Sequence, residues 1–321
     1  MSYVRDERGR VGMMREVMGA LAALAVAVAC DRSTPPMKPA ELAAVVPSVG
    51  PGDSTAVLVG AGDIADCRSR GAEETARLID GIPGAVMAVG DLAYPRGTVE
   101  DVRRCYRPTW GRFRDRTFPA LGNHDVVARG AAGYVGFFGE RLRALGPAAA
   151  DPARGWYSYR LGAWHVVVLN SNPASVDSAQ VRWLREDLRA NRQPCTLAYF
   201  HHPRFTSGPH GDAGWMQPIW QALYDGGVDV AVAGHDHDYE RFVPMDAAGR
   251  PDEARGIRSF VVGTGGAERR RIRSVDAGSV ARMDDTFGVI RFVLRPGTYE
   301  WDFIPTGRAN QSIDHGKGTC H

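Results

Sequence analysis

At 321 residues and 44% hydrophobic content, the chain is long enough to build one large domain or two small ones around a real core. Its 39 basic and 37 acidic residues leave a net charge of +2, so no whole-protein field selects nucleic acid or an anionic membrane. Any partner has to be read from a local site.

The first stretch is a targeting pattern. Arg5, Arg8, Arg10 and Arg15 precede an uncharged run from Val17 to Ala29, which is too short for a bilayer that needs roughly 20 apolar residues. Residues 1–30 therefore read as a signal peptide. Ala27-Val28-Ala29-Cys30 resembles a bacterial lipoprotein box, which would place a lipid anchor on Cys30; an ordinary secretory peptide cut nearby is the alternative. Both imply export to a periplasmic or extracellular compartment. There, Cys67, Cys105, Cys195 and Cys320 are expected to pair. Three pairings are open. Cys67 and Cys105 both follow early strands in adjacent loops, which favours joining them and leaves Cys195 to pin Cys320 at the C-terminus.

Residues 31–53, with Pro35, Pro36, Pro39, Pro47 and Pro51 among small polar residues, read as a tether without periodicity. Residues 54–321 form the folded domain. Apolar runs at Ala56–Val59, Ala85–Val89, Val166–Leu169, Thr196–Phe200 and Val228–Ala233 have the length and β-branching of buried strands. Val181, Leu184 and Leu188, and then Met216, Ile219, Trp220 and Leu223, repeat at helical spacing. The last third turns to strands at Phe260–Val262, Gly288–Leu294 and Tyr299–Ile304. One α/β domain is expected, its mixed sheets packed on each other with helices outside.

Four turns place glycine directly before a residue able to bind metal: Gly62-Asp63, Gly90-Asp91, Gly122-Asn123 and Gly234-His235. Ligands of open α/β sheets bind beyond the carboxyl ends of strands, so these side chains should share one crevice. His201 after the strand Thr196–Phe200, and His237 two residues beyond His235, add imidazoles to it. The set suits a pair of ions sharing Asp91, which is the arrangement that clamps both oxygens of a phosphoryl transfer. Mixed nitrogen and oxygen donors favour Zn, Fe or Mn over calcium.

With its GDI, GDLAY, GNHD and GHDHDYER segments, the chain resembles the calcineurin-like metallophosphoesterases, and within them the small purple acid phosphatases. The resemblance runs from about residue 55 to 304. It implies an α/β/β/α four-layer sandwich of two mixed sheets flanked by helices, and a dinuclear catalytic domain. By position, Asp63, Tyr94 and His237 would hold a first ion and Asn123, His201 and His235 a second, with Asp91 bridging. Generic members carry a histidine two residues after the first aspartate, where this chain has Ala65. The resemblance replaces that donor with Tyr94, whose phenolate suits Fe(III) in the first site, beside Fe(II), Zn or Mn in the second.

The implied chemistry is hydrolysis of small phosphate monoesters by a metal-bound hydroxide. His124 is expected to assist the leaving group, Asp125 to orient His124, and His210 to face substrate. A phosphodiesterase with the same centre is the alternative within the class. His202 is expected to be structural or to line the pocket, and His165 to be a core histidine; His315 and His321 carry no signal. No nucleic-acid surface and no protein partner are expected, and membrane contact only through Cys30.

Two other classes compete. GAGDIA at 60–65 matches a dinucleotide-binding turn, but Asp63 would place a carboxylate against the pyrophosphate, and the histidines would go unexplained. A non-catalytic metal- or phosphate-binding lipoprotein would be expected to lack a donor or His124, whereas here every position is filled.

Overall fold

In the computed structural model, which describes residues 55–146, 151–307 and 312–321, the apolar runs form the centres of two mixed sheets. The signal peptide, Cys30 and the tether lie outside the described residues. Described residues all fall in the compact unit Lys38–His321.

The first sheet has the order β13-β12-β11-β1-β2-β3. Its parallel half is β1 (Ala56–Ala61), β2 (Ala85–Val89) and β3 (Thr117–Ala120). The antiparallel meander β11 (Gly288–Arg295), β12 (Thr298–Pro305) and β13 (Asp314–Thr319) continues it from β1. The second sheet has the order β10-β8-β9-β7-β6-β5-β4. There β5 (Trp164–Val168), β6 (Cys195–Tyr199), β7 (Val230–Ala233) and β9 (Arg258–Val262) run parallel. β4 (Tyr157–Leu161), β8 (Tyr239–Phe242) and β10 (Ser279–Met283) pair antiparallel.

The two-residue period of a strand sorts the buried side chains between two cores. Val166, Val168, Leu197, Tyr199, Val230 and Val232 join the core shared with the first sheet. Their neighbours Val167, Leu169, Ala198, Phe200, Ala231 and Ala233 pack with Val181, Leu184, Ile219 and Leu223 of the helices Ser178–Ala190 and Gln217–Asp225. On the first sheet, the helices Gly71–Asp80 and Ala132–Arg143 bury Ala72, Ala76, Ile79, Tyr134, Phe138 and Leu142. The result is the expected four-layer sandwich. Aromatic pairs lock one sheet to the other: Tyr239 stacks on Phe303 at 4.0 Å and Phe118 on Tyr159 at 3.9 Å, while Phe260 meets Phe292 edge-on.

The sequence pattern missed the helices Gly71–Asp80 and Ala132–Arg143 and the strands β3, β4, β8, β10 and β13. Both favoured disulfides are formed, Cys67–Cys105 and Cys195–Cys320. No helix among the described residues is long and apolar enough to cross a membrane.

Asp314 on β13 ties the two sheets at one edge. It accepts hydrogen bonds from Tyr239 (2.6 Å) and Arg241 (2.8 and 2.9 Å) of β8 and from the Trp301 indole of β12 (3.2 Å). Burial alone would raise its pKa, but Arg241, Tyr239 and Trp301 outweigh burial and hold it below 3.8. A depressed carboxylate contributes stability above its unfolded pKa and loses it as pH falls through the folded one. Asp314→Asn is therefore expected to lose about 2–4 kcal/mol at pH 7, with the deficit shrinking below about pH 4. Urea unfolding at both pH values measures it, and a deficit independent of pH would contradict the charge assignment.

Candidate dinuclear metal centre

Each strand of the parallel halves that leads into the site ends before a donor residue. Asp63 and Asp91 follow β1 and β2, Asn123 follows β3, His201 follows β6 and His235 follows β7. The turns are sharp: Asp63, Asp91 and His235 have φ of 58°, 50° and 70°, a region that non-glycine residues rarely occupy and that concentrates at functional sites. Close approach also dictates Gly122, where a Cβ would lie 2.1 Å from Asp91 Oδ1. The side chains of Asp63, Asp91, His201 and His237 are buried.

Around the Tyr94 hydroxyl stand Asp63 Oδ1 at 2.8 Å, Asp91 Oδ2 at 3.0 Å and His237 Nε2 at 3.2 Å. His201 Nε2 lies 3.0 Å from Asn123 Oδ1 and 3.3 Å from Asp91 Oδ2. Asp91 thus touches both groups. The outer nitrogens of these two imidazoles are occupied by backbone carbonyls, His201 Nδ1 by Val89 (3.0 Å) and His237 Nδ1 by Glu268. A carbonyl accepts, so Nδ1 carries the proton and Nε2 is left to face inward, as in metal-ligating histidines.

His235 binds the cluster through its backbone, its N–H donating to Asp63 Oδ2 at 2.7 Å. Its ring lies against His202 (4.4 Å), His210 (4.2 Å) and His201 (5.1 Å). Burial and these neighbouring imidazoles push its pKa far down, so it stays a neutral ligand-competent imidazole. His202 is likewise lowered, to about 3, by burial and His201, and its Nδ1 meets Ser171 Oγ at 2.9 Å. It therefore lines the centre rather than lying apart from it.

Asp125 does not reach His124. Its buried carboxylate accepts from the backbone N–H of Leu92 (3.0 Å) and Gly122 (2.9 Å), which fastens the turns after β2 and β3 together. Burial and Asp91 raise its pKa to about 7. The His124 ring is oriented instead by the Pro95 carbonyl, 2.6 Å from Nδ1, and its Nε2 lies 4.0 Å from Asp91 Oδ2. His210 is held by Asp236, which accepts from its Nδ1 at 2.8 Å. His165 instead pairs with Asp187 at 2.9 Å, away from these residues.

The donor set fits cations. Asp63, Asp91 and His201 bring one ligand atom each within 4.8 Å of one another, as do His201, His202 and His235. Without a cation, burial would neutralise His201, yet Asp91 and Asp63 hold its pKa up to about 10. A pocket that keeps an imidazolium beside its carboxylates has negative charge to offer a metal.

Residues 40–239 match the family described as calcineurin-like phosphoesterase. The chain belongs to this family.

Among curated proteins, the chain is 32% identical over 183 residues to the phosphoenolpyruvate phosphatase of Allium cepa, covering 49% of this chain and 36% of that one. It is 30% identical over 176 residues to the Fe(3+)-Zn(2+) purple acid phosphatase 12 of Arabidopsis thaliana, covering 49% and 37%. The chain thus spans little more than a third of the length of these relatives. In fold it matches the purple acid phosphatase PPD1 of yellow lupin (Lupinus luteus), with a TM-score of 0.68 at 16% identity over 83% of this chain and 54% of the lupin one.

Sequence reasoning passed over two neighbours of the site. Ser171 donates to the His202 side or accepts from it, and takes the backbone N–H of His201 and His202 at 3.1 and 2.8 Å. Arg270 reaches His210 Nε2 at 2.6 Å. Nothing local marks Ser171. Arg270 lay in the run Arg269-Arg270-Arg271, which as a sequence looks like any solvated basic stretch.

Proposed function

We propose that the chain is an exported dinuclear phosphoesterase that hydrolyses phosphate monoesters. Residues 1–30 would serve as the removable signal, 31–53 as the tether and 54–321 as the catalytic domain. The observation that carries the reading is the convergence of seven donor side chains from the ends of both sheets, with Nε2 of His201 and His237 directed inward. Export is supported by the N-terminal pattern and the two disulfides.

Asp63, Tyr94 and His237 would hold the first ion, Asn123, His201 and His235 the second, and Asp91 both. Two such cations, when bound, would supply Lewis acidity for activating a water and for offsetting phosphoryl charge. The chain's own residues do the rest. Asp91 sets the spacing of the two halves and accepts the His124 backbone N–H at 2.8 Å. The Pro95 carbonyl keeps the proton on His124 Nδ1, so Nε2 is the atom that gains or gives a proton at the leaving oxygen. Asp125 clamps the turns that carry Asp91 and Asn123, acting on backbone rather than on substrate. His210 stacks its ring on His235 and would face the substrate from there.

Tyr94 selects the metal. Its hydroxyl, placed between two carboxylates and with burial, Asp63 and Asp91 all raising its pKa, ionises only with a strong Lewis acid beside it. That favours Fe(III) in the first site, with Fe(II), Zn or Mn in the second. The purified protein is expected to carry two metals per chain, hydrolyse phenyl phosphate faster than bis(4-nitrophenyl) phosphate, and show a visible charge-transfer band that Tyr94→Phe removes. Metal-loaded protein that turns over neither ester would defeat the enzyme reading. A colourless and fully active protein would take Tyr94 out of the coordination shell.

A further inference from the structure

Three consecutive arginines follow the glycine-rich turn after β9, and their guanidinium groups go to different places. Arg269 donates to the Asp285 carbonyl and lies over the Phe287 ring, 5.0 Å from its centroid. Arg271 pairs with Asp284 at 2.8 Å. Arg270 alone turns to the metal centre. Its backbone N–H donates to the His237 carbonyl at 3.2 Å, and the Glu268 carbonyl two residues earlier takes His237 Nδ1, so the segment is fastened to a proposed ligand at two points. From there its Nη1 donates to His210 Nε2 at 2.6 Å.

The hydrogen bonds around His210 assign a role to each of its ring nitrogens. Asp236 is fully buried and accepts from both the backbone N–H and Nδ1 of His210, at 3.1 and 2.8 Å. Nδ1 therefore carries the ring proton and Nε2 is an acceptor, as a guanidinium neighbour requires. The fixed positive charge at this edge of the site belongs to the Arg270 guanidinium. Among the described residues, no carboxylate lies within ion-pair distance of Arg270. A guanidinium has five N–H donors in a planar fork, of which His210 takes one. The fork stands one imidazole ring outside His235, against which His210 is stacked at 4.2 Å.

We infer that Arg270 is a specificity residue that binds a second anionic group of the substrate, a carboxylate or another phosphoryl group carried near the ester being cleaved. The inference rests on the phosphatase reading and narrows its substrate class to esters with two negative centres. The reacting phosphoryl group occupies the metal centre, while the second anion takes the open donors of the fork bidentately. His210 acts as the spacer that holds the fork at that distance.

The test uses the full-length, metal-loaded protein with three small substrates: ethyl phosphate, which has no second anion, phosphoglycolate, which has a carboxylate, and ethylene glycol bisphosphate, which has a second phosphoryl group. Charge-assisted contacts of this kind correspond to roughly 10- to 100-fold in affinity. Arg270→Gln is expected to raise KM for one or both dianionic substrates by at least about tenfold more than for ethyl phosphate, with Arg270→Lys recovering part of the loss. A selective loss with phosphoglycolate identifies the carboxylate, and one with the bisphosphate identifies the phosphoryl group. Equal effects on all three substrates, or a loss confined to kcat, would overturn the inference and leave Arg270 as a support for His210. Ethyl phosphate turned over by wild type in that case keeps the phosphatase reading intact; no turnover of any substrate brings down both.

Discussion

Asp91→Asn is expected to lower metal-dependent turnover by roughly 10²- to 10³-fold, the scale on which removal of one charge-stabilising group at a reacting centre is felt. The carboxylate works on two sides at once. Oδ1 accepts the His124 backbone N–H at 2.8 Å, and Oδ2 faces the Tyr94 hydroxyl at 3.0 Å and His201 Nε2 at 3.3 Å. An asparagine has the same shape but only one oxygen, so one of these sides must receive an N–H in place of an acceptor. It also removes the negative charge that, with Asp63, balances His201. Both losses fall on the residue shared by the two halves, so the metal content is expected to fall together with the rate. Elemental analysis and phenyl phosphate turnover measure the two quantities on one sample. Two ions per chain with near wild-type turnover would show that Asp91 does not bridge.

Removing the Cys195–Cys320 disulfide is the largest expected effect on stability. The bridge closes a loop with a sequence separation of 125, against 38 for Cys67–Cys105. By chain entropy alone the long loop corresponds to about 5 kcal/mol and the short one to about 4 kcal/mol, with native strain and residual unfolded structure reducing both. The long bridge also secures a terminus: Cys320 donates its N–H to the Gly297 carbonyl, and the next residue, His321, donates to the buried Asp229. A Cys195→Ala/Cys320→Ala double variant is expected to lose about 3–5 kcal/mol in urea unfolding. Cys195 begins β6 and His201 follows its far end, so turnover per folded molecule should not change. A loss of turnover without a loss of stability would mean that the bridge shapes the site.

The parts of the site that were legible in the sequence are those written locally. A glycine before an acid, amide or imidazole at the end of an apolar run contains both the turn and the donor in two residues, and Asp63, Asp91, Asn123 and His235 were all readable in that form. Ala65 is legible in the same local way, as an alanine where the family resemblance leads one to expect a histidine. What could not be read is set by contacts across the fold. Asp125 adjoins His124 in sequence, yet its carboxylate turns to Leu92 and Gly122 while Pro95 takes the histidine. Arg270 meets His210 across 60 positions of chain. The strand β13 was invisible because its glycines are there to make room: a Cβ on Gly316 would stand 2.3 Å from the Trp301 ring, and one on Gly318 would stand 2.3 Å from Tyr299. A strand whose role is to lie under aromatic rings shows no hydrophobic alternation of its own.

The first sheet supplies Asp63, Asp91, Tyr94 and Asn123 to the centre, and the second supplies His201, His235 and His237. Ions bound there would act as rivets between the sheets, and metal affinity and sheet docking would be one linked free energy. Each tenfold rise in free metal above its dissociation constant adds about 1.4 kcal/mol to the docked state. Conversely, whatever loosens the aromatic contacts between the sheets weakens metal binding without touching a ligand. The packing of Tyr239 on Phe303 is in this sense part of the metal site's affinity.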